Sequence, residues 1–493
     1  MKKISKYFQV LFAFCWFLIL GTNFSIAQDS TSFYKVYTGG LFDYGQGITQ
    51  LDNGKYAITG STSSLDDNTS KTLLMVIDAE GSHEWTKGYG GSNSNWGRRV
   101  FHETGEGFWI AGYSNSFGDE SFDFTLTKTD ENGVLEWENN YGTSDRERLW
   151  DAIRLDDGSF VLVGETEGFL SEGKDILMYK IDENGNELWE TQIQNEGNDI
   201  GYALTPYDDT SFLVCGEYYN NGANSGIILK MHEDGSFIEQ WLYDQDGPAS
   251  FRDIKRFDDQ TYVAGAVNAT SLEYLNSVIL RLDNSYNIIN EEVGSTEGDD
   301  FVTSLEIIAN DKLYWTIKTT APFFNVYNVG WDALIYRYHR SMYFLGPAIH
   351  PSGLNDDEFN QTVATSDGGI ICIGTCSDDR VNLSNGNDLM VVKIGPNHEH
   401  QTDSNLGNDL VNINKFSVSD QRHLYPNPTE GMLHIPDELS NQVKDIKVIN
   451  TLGEIQKVVI SNTTINISNL KSGVYFVIIN DEDKAHTYRV VKE

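Results

Sequence analysis

Short apolar runs recur along the chain at a nearly fixed interval, each closing on a glycine. The run Phe160-Val161-Leu162-Val163 ends at Gly164, and the same place is taken by Gly60, Gly112 and Gly216, each 52 residues from the next. The series continues with Gly265, with Thr316 in the equivalent position, and with Gly374, which makes seven units. Trp85, Trp137, Trp189 and Trp241 keep the 52-residue step as well. Within a unit the order is constant. A turn such as Asp156-Asp157-Gly158 leads to an apolar run, a polar loop and a second run such as Ile176-Leu177-Met178-Tyr179. The turn Asp182-Glu183-Asn184-Gly185 then precedes the strand that carries Trp189. Asp-x-x-Gly closes a short hairpin because Asp bonds to its own backbone and Gly accepts positive φ. It recurs at Asp78 to Gly81 and at Asp130 to Gly133.

Four short strands in each unit predict an all-β chain built as a seven-bladed β-propeller. A helical solenoid would carry a 3.6-residue apolar period in every unit, and none is present. Near-continuous apolar runs suit blades packed on both faces, with the repeated Trp filling space between them. Phe33 stands 52 residues before Trp85, and Tyr37 stands 52 before Tyr89, which stands 52 before Tyr141. The seventh unit stops near Ile394 without a fourth strand. The N-terminal strand is therefore expected to complete the last blade, which protects both edges.

The two ends read differently. Lys2, Lys3 and Lys6, the apolar run from Val10 to Leu20 and the small-residue site Ser25-Ile26-Ala27 have the layout of a secretory signal peptide, 1–27. That run is short for a bilayer span of about 20 residues, and no later segment is long enough for one. The propeller is expected over 28–395 and a polar linker with His398 and His400 over 396–422. A second domain over 423–493 shows short alternating strands around Ile446 to Ile449, Val458 to Ile460 and Val474 to Val477, the pattern of a small C-terminal β-sandwich.

Charge narrows the partners. A net charge of -38 repels phosphate backbones, so nucleic acid is not expected as a partner. Beyond the leader the cysteines are Cys215, Cys372 and Cys376, an odd number that excludes a disulfide framework. Cys215 reads as a core residue, and Cys372 and Cys376 lack the spacing of a zinc site. The chain holds no Gly-x-Ser-x-Gly, His-Glu-x-x-His or phosphate loop, and no catalytic, cofactor or metal residue is assigned. Carboxylates could pair across blades as in a glycosidase, but among 73 acidic residues no pair stands out. Acidic turns such as Asp130-Glu131-Asn132-Gly133 leave calcium as the one ion open to the chain, although they are accounted for as hairpins.

Lys128, Lys180, Lys230, Arg281, Arg337 and Lys393 stand two positions before the turn of their units, a recurrence that marks scaffold. Function is expected where the repeat fails, between Thr316 and Asn360. There Phe323, Phe324, Tyr327 and Trp331 form the candidate ligand-contact loop, with Tyr343 nearby. Loop aromatics stack on sugars or dock peptides; the alternative is a degraded blade that repacks.

Two resemblances carry further expectations. Units with Asp182, Gly185 and Trp189 in register resemble the repeat of quinoprotein-type propellers over roughly 33–395. The likeness is structural, because the adjacent Cys-Cys pair of a quinone-binding dehydrogenase is absent. The residues Leu424-Tyr425-Pro426-Asn427-Pro428, Gly431, the Gly473-Val474-Tyr475 strand and the basic end at Arg489 and Lys492 resemble the type A sorting domain of the type IX secretion system of gliding bacteria. The resemblance implies two-step export, the type IX machinery as partner and removal of the domain. It also implies a sorting motif of Tyr425, Pro426, Asn427, Pro428, Gly431, Gly473, Tyr475 and Lys492. The expected function is a secreted or cell-surface, non-catalytic module binding an extracellular protein or glycan. The alternative is an extracellular carbohydrate-active hydrolase or lyase.

Overall fold

The computed structural model describes residues 32–396 and 431–492, apart from position 40, position 343 and the segments 66–68, 118–120, 168–172, 244–246, 269–273, 295–297, 309–310, 321–330, 350–355, 378–386, 436–444, 451–454, 462–463 and 481–484. The chain forms two compact units, Met1–Phe416 and Ser417–Glu493. Every named element is a strand, and no helix occurs among the described residues.

The first unit opens with β1 (Phe33–Tyr37). Sheet I follows as β2 (Asp43–Gln50), β3 (Tyr56–Thr62), β4 (Lys71–Ile77) and β5 (His83–Tyr89). Sheet II is β6 (Asn95–Glu103), β7 (Gly107–Ser114), β8 (Asp123–Thr129) and β9 (Leu135–Tyr141). Sheet III is β10 (Arg146–Arg154), β11 (Phe160–Glu167), β12 (Asp175–Ile181) and β13 (Glu187–Ile193). Sheet IV is β14 (Ile200–Asp208), β15 (Ser211–Asn220), β16 (Ala223–His232) and β17 (Phe237–Tyr243). Sheet V is β18 (Ala249–Phe257), β19 (Gln260–Val267), β20 (Asn276–Leu282) and β21 (Ile288–Gly294). Sheet VI is β22 (Asp300–Ile308), β23 (Lys312–Thr319), β24 (Asp332–His339) and β25 (Phe344–Ile349). Sheet VII takes β26 (Asp357–Ala364), β27 (Ile370–Cys376) and β28 (Asp388–Ile394), and β1 supplies its fourth strand. Pairing runs antiparallel from Phe33 opposite Lys393 to Tyr37 opposite Leu389.

Each sheet packs against the next, and the apolar cores lie between sheets. Phe124, Leu126 and Tyr141 of sheet II share a cluster with Leu149, Phe160, Leu177 and Tyr179 of sheet III. The last and first sheets do the same: Tyr37, Ile371, Ile373, Leu389 and Val391 cluster with Ile48, Ile58, Leu73 and Met75. Packing from both sides leaves the second and third strands almost wholly buried, polar positions included.

The hairpin between third and fourth strands also joins neighbouring sheets. In the first of these turns Gly81 has φ +81° and its N–H donates to Asp78 C=O, while Asp78 Oδ1 accepts from Glu80 and Ser82. The Gly81 carbonyl faces the previous sheet and accepts the hydroxyl of Tyr37 at 2.7 Å. Tyr89 reaches Gly133 at 2.8 Å and Tyr141 reaches Gly185 at 2.9 Å in the same way. The aromatic ring below each turn fills the space a side chain would need. A Cβ on Gly81 would lie 2.8 Å from Phe33, and one on Gly133 would lie 2.9 Å from Trp85. Two turns dispense with glycine: Tyr286 and Met342 take φ of 58° and 68° there, which carries a local strain cost. Sheet VI keeps four strands although its turn has lost the Asp-x-x-Gly pattern.

In the second unit, β29 (Met432–His434), β32 (Thr464–Asn466) and β31 (Val459–Ile460) form one sheet in that order. The strands β30 (Asp445–Asn450), β33 (Gly473–Asn480) and β34 (Ala485–Lys492) form another. Leu433, Ile465 and Ile467 pack in one core with Val448, Tyr475, Val477, Ile479 and Val490.

Candidate functional site

The first strands of successive sheets touch in chain order, and β26 touches β2, so all seven converge on a common axis. Every one of them carries an irregularity at the same place. The pairing with the second strand skips Gln46, Arg98, Trp150 and Tyr202 in sheets I to IV. It skips Arg252, Thr303 and Asn360 in sheets V to VII. A bulge adds one unpaired residue, bends the strand and re-aims a side chain. In sheets I to V the re-aimed side chains meet those of the neighbouring sheets, while in sheet VI Thr303 bonds Thr316 of its own sheet.

From sheet I to sheet V the bulged residues touch one another in sequence. Arg98 Nη1 donates to Gln46 Oε1, and the Arg98 guanidinium lies 4.6 Å from the Trp150 ring centre. Trp150 meets Tyr202 edge to face at 5.2 Å, and Arg252 stacks on Tyr202 at 3.7 Å. On the far side Asn360 Nδ2 donates to the Gly45 carbonyl at 2.8 Å, returning the series to sheet I. Arg148, two residues before Trp150, lies 5.8 Å from the rings of both Trp150 and Tyr113.

In four of the sheets the residue after the bulge ties one sheet to the next. Asp151 Oδ2 accepts the Leu204 N–H at 3.0 Å, and Asp253 Oδ2 accepts that of Leu305 at 2.7 Å. Ser304 Oγ accepts from Thr362 N–H at 3.0 Å, and Gln361 Oε1 from Ile48 N–H at 2.8 Å, the last bond spanning sheets VII and I. In this layer charges are compensated. Arg99 pairs with Asp151 at 2.5 Å, and Lys255 lies 3.9 Å from Glu306. Burial pushes the Asp253 and Glu306 carboxyls up. Burial pulls the Lys255 ammonium down, but the charges of Asp253, Glu306 and Asp151 outweigh it and raise it.

The bulge layer differs. No described carboxylate comes within ion-pair distance of Arg98, Arg148 or Arg252, whereas Lys174 nearby pairs with Glu165 at 2.8 Å. Burial, with the like charges of Arg99 and Arg148 adding to it, holds the Arg98 guanidinium below its ordinary value against the opposing influence of Tyr113 and Glu358. Its Nε–H is buried without a partner among the described residues.

First and third strands of a sheet begin at the same end, because the second runs antiparallel between them. Aromatic rings crowd that end. Tyr44 and Trp96 lie 5.1 Å apart, and Trp96 stacks on Tyr113 at 6.2 Å. Trp331 sits here. Its N–H donates to Asp356, its ring meets Phe301 at 5.4 Å, and Lys318 lies 5.3 Å from its centre. Phe323, Phe324, Tyr327 and Tyr343 lie outside the described residues.

The same end holds buried carboxylates at the junctions between sheets. A Cβ on Gly142 would sit 2.5 Å from Asp123 Oδ1 and 2.8 Å from Glu147 Oε2, so both oxygens face one spot. Burial, with the Asp123 charge adding to it, pushes the Glu147 carboxyl up to about 7 despite hydrogen bonds from Thr143 and Thr166. Asp199, buried and near Asp175, is pushed up to about 6.

The other sequence candidates have structural roles. Lys180 pairs with Asp157 at 3.2 Å, and Lys393, almost fully buried, pairs with Asp367 at 2.8 Å. Lys128 donates to the Thr129 carbonyl at 3.0 Å. Cys215, Cys372 and Cys376 are buried and not joined in disulfides, and burial pushes Cys372 up to about 12. Among the described residues no group of three or more His, Cys, Asp or Glu is placed to hold a metal ion.

In the second unit, Tyr425, Pro426, Asn427 and Pro428 lie outside the described residues. Gly431 accepts the Ile467 N–H at 2.7 Å, and a Cβ there would meet Ser468 at 2.6 Å. Gly473 and Lys492 are opposite partners in β33 and β34, and Tyr475 is buried with its hydroxyl donating to Lys471 C=O at 2.8 Å.

Residues 423–493 match the family described as the secretion system C-terminal sorting domain. The chain therefore carries a type IX sorting domain and is exported to the cell surface or the extracellular space. Among the described residues no helix is long and apolar enough to cross a membrane. No curated protein matches the sequence. Solved structures similar to it are propellers and proteins that contain them. The Neurospora crassa Pan2 WD40 domain is 12% identical with a TM-score of 0.44, covering 75% of this chain and 98% of that one. A puromycin hydrolase is 11% identical with a TM-score of 0.47, and the match spans 90% of this chain but 59% of the hydrolase. A polysaccharide lyase, an ulvan lyase, is 10% identical with a TM-score of 0.46, covering 73% and 96%. None of these likenesses carries an argument about activity.

Proposed function

We propose that this chain is an exported binding module. Its 28–395 region would be a seven-bladed β-propeller closed by β1, and its axial channel mouth would take up an extracellular protein or glycan. Residues 1–27 act in this reading as the signal peptide, 396–422 as the linker, and 423–493 as a β-sandwich whose Tyr425, Pro426, Asn427, Pro428, Gly431, Gly473, Tyr475 and Lys492 engage the secretion machinery. The observation that carries the binding reading is the bulge shared by all seven first strands, which gathers side chains of unlike chemistry at one level of the channel. Strand-end aromatics such as Trp96 and Trp331 surround the same opening. A repeat kept for stability alone would place similar residues at equivalent positions; here Gln, Arg, Trp, Tyr, Thr and Asn alternate.

In the bulge layer binding is favoured over hydrolysis, because Asp151 and Asp253 already accept backbone N–H groups of the next sheet, whereas the buried Asp123 and Glu147 oxygens at the same end, with Glu147 pushed up to about 7, are what supports the hydrolase or lyase alternative. A general acid needs a carboxyl free to meet the substrate. Exported full-length protein screened against glycan and protein arrays, with and without calcium, tests the reading. Trp150→Ala is expected to weaken the captured ligand about tenfold, in line with the loss of one aromatic contact, while the melting curve keeps its cooperativity. Unaltered capture by Trp150→Ala would refute the site. Cleaved glycan in the wells would favour the hydrolase or lyase alternative.

A further inference from the structure

We infer that the ligand of the channel mouth is an acidic glycan, its carboxylate or sulfate groups held by Arg98 and Arg252 and its sugar rings laid on the rim aromatics. The inference rests on the reading that this mouth is a binding site. Three observations lead to it. The chain carries a net charge of -38, yet Arg98, Arg148 and Arg252 gather in the bulge layer with no described carboxylate at ion-pair distance. The layer beneath neutralises its cations, through Arg99 with Asp151 and Lys255 with Glu306, so the excess positive charge is confined to one level. Arg98 is crowded by the like charges of Arg99 and Arg148, and its buried Nε–H has no partner among the described residues.

The carboxylates nearest the cluster are held elsewhere, Glu165 by Lys174 and Glu358 by Lys318, so the repulsion between the guanidiniums of Arg98 and Arg148 has no ion pair of its own to offset it. An oxyanion relieves that repulsion, and the planar fork of Arg matches a carboxylate or sulfate with two parallel hydrogen bonds. Stacking on Trp150 and Tyr202 holds Arg98 and Arg252 in fixed planes, which lowers the entropy lost on binding.

The rim selects sugar over peptide. Tyr44 and Trp96 lie over sheets I and II, while Phe301 and Trp331 lie over sheet VI. A ligand touching both groups needs flat apolar faces at intervals with anions between them. An acidic polysaccharide has that composition, whereas an acidic peptide supplies the anions without the faces.

Titration calorimetry on the full-length protein tests the assignment with four probes: oligogalacturonate, a sulfated galactan oligosaccharide, a neutral oligosaccharide of equal length and poly-glutamate. Binding of either acidic oligosaccharide, weakened about tenfold or more by Arg98→Gln and again by Arg252→Gln and reduced by added salt, is the expected result. Poly-glutamate bound as tightly as the acidic sugars overturns the glycan assignment. A neutral ligand whose capture depends on Trp150 overturns the anion requirement but leaves the mouth a binding site. If no ligand depends on Trp150, Arg98 or Arg252, both readings fall. Circular dichroism melts of the two Arg variants separate lost binding from lost folding.

Discussion

A chain that starts at Leu41 loses the cooperative thermal transition of the first unit and associates in solution. Without β1, the Leu389 to Lys393 edge of β28 has no partner. Val36 and Tyr37 leave sites where they are 2% and 1% exposed, and Phe33 and Tyr34 leave packed positions. At about 1.5 to 3 kcal/mol for each large buried side chain, the loss is comparable with the whole stability of a domain, about 5 to 15 kcal/mol. The Tyr37 bond to Gly81 goes as well, which weakens the contact between sheets VII and I. An unpaired edge of apolar residues templates association. Size-exclusion chromatography and a circular dichroism melt read both effects. A truncated chain that stays monomeric and melts like the intact one would mean that β1 is dispensable.

Stability is expected to peak near pH 5 and fall toward pH 8. The cause is Glu147, whose folded-state value of about 7 lies above its ordinary 4.5. A carboxyl raised in the folded state holds its proton more tightly there than in the unfolded chain. Its favourable contribution is therefore complete below pH 4.5 and lost as pH rises through 7, by about 3 kcal/mol over the interval. Asp199, raised to about 6, acts in the same direction. The turn residues Asp182 and Asp208 are held below the ordinary carboxylate range and act oppositely, losing their contribution as pH falls. Urea denaturation across pH 4 to 8 measures the sum. Glu147→Gln, which keeps the shape and removes the charge, is expected to stabilise the protein at pH 8 by about 3 kcal/mol and to have little effect at pH 5. Equal destabilisation at both values would show that the carboxylate is needed in its ionised form.

The rhythm of tryptophan, glycine and aspartate made the repeat readable, because a step of 52 residues survives changes at every other position. The pairing of β1 could be read too, since Phe33 and Tyr37 stand in phase with Trp85 and Tyr89. The reason for the phase could not. It lies between sheets, where the ring of one packs under the turn glycine of the next and the tyrosine hydroxyl bonds its carbonyl. The bulges were hidden for a related cause. A residue inserted at the same place in every unit leaves the period unchanged, so only coordinates reveal that Arg98 or Trp150 is unpaired. The flanking residues give no frame either, since Gly45 and Gly47 in one unit are answered by Leu149 and Asp151 in another and by Phe359 and Gln361 in the last. Seeking function where the repeat breaks points to the stretch from Thr316 to Asn360, in which Trp331 alone of the candidate aromatics Phe323, Phe324, Tyr327 and Trp331 lies in the described structure. Asp123 and Glu147 were lost among 73 acidic residues, because burial cannot be read from identity.

Hydrogen exchange at the Phe33–Tyr37 amides is the direct test of the closed ring that brings seven bulges around one axis. Protection comparable with that of Ile371 to Ile373 and Leu389 to Val392 is the predicted outcome. Exchange at the rate of an unpaired terminus, while those two strands stay protected, would contradict it.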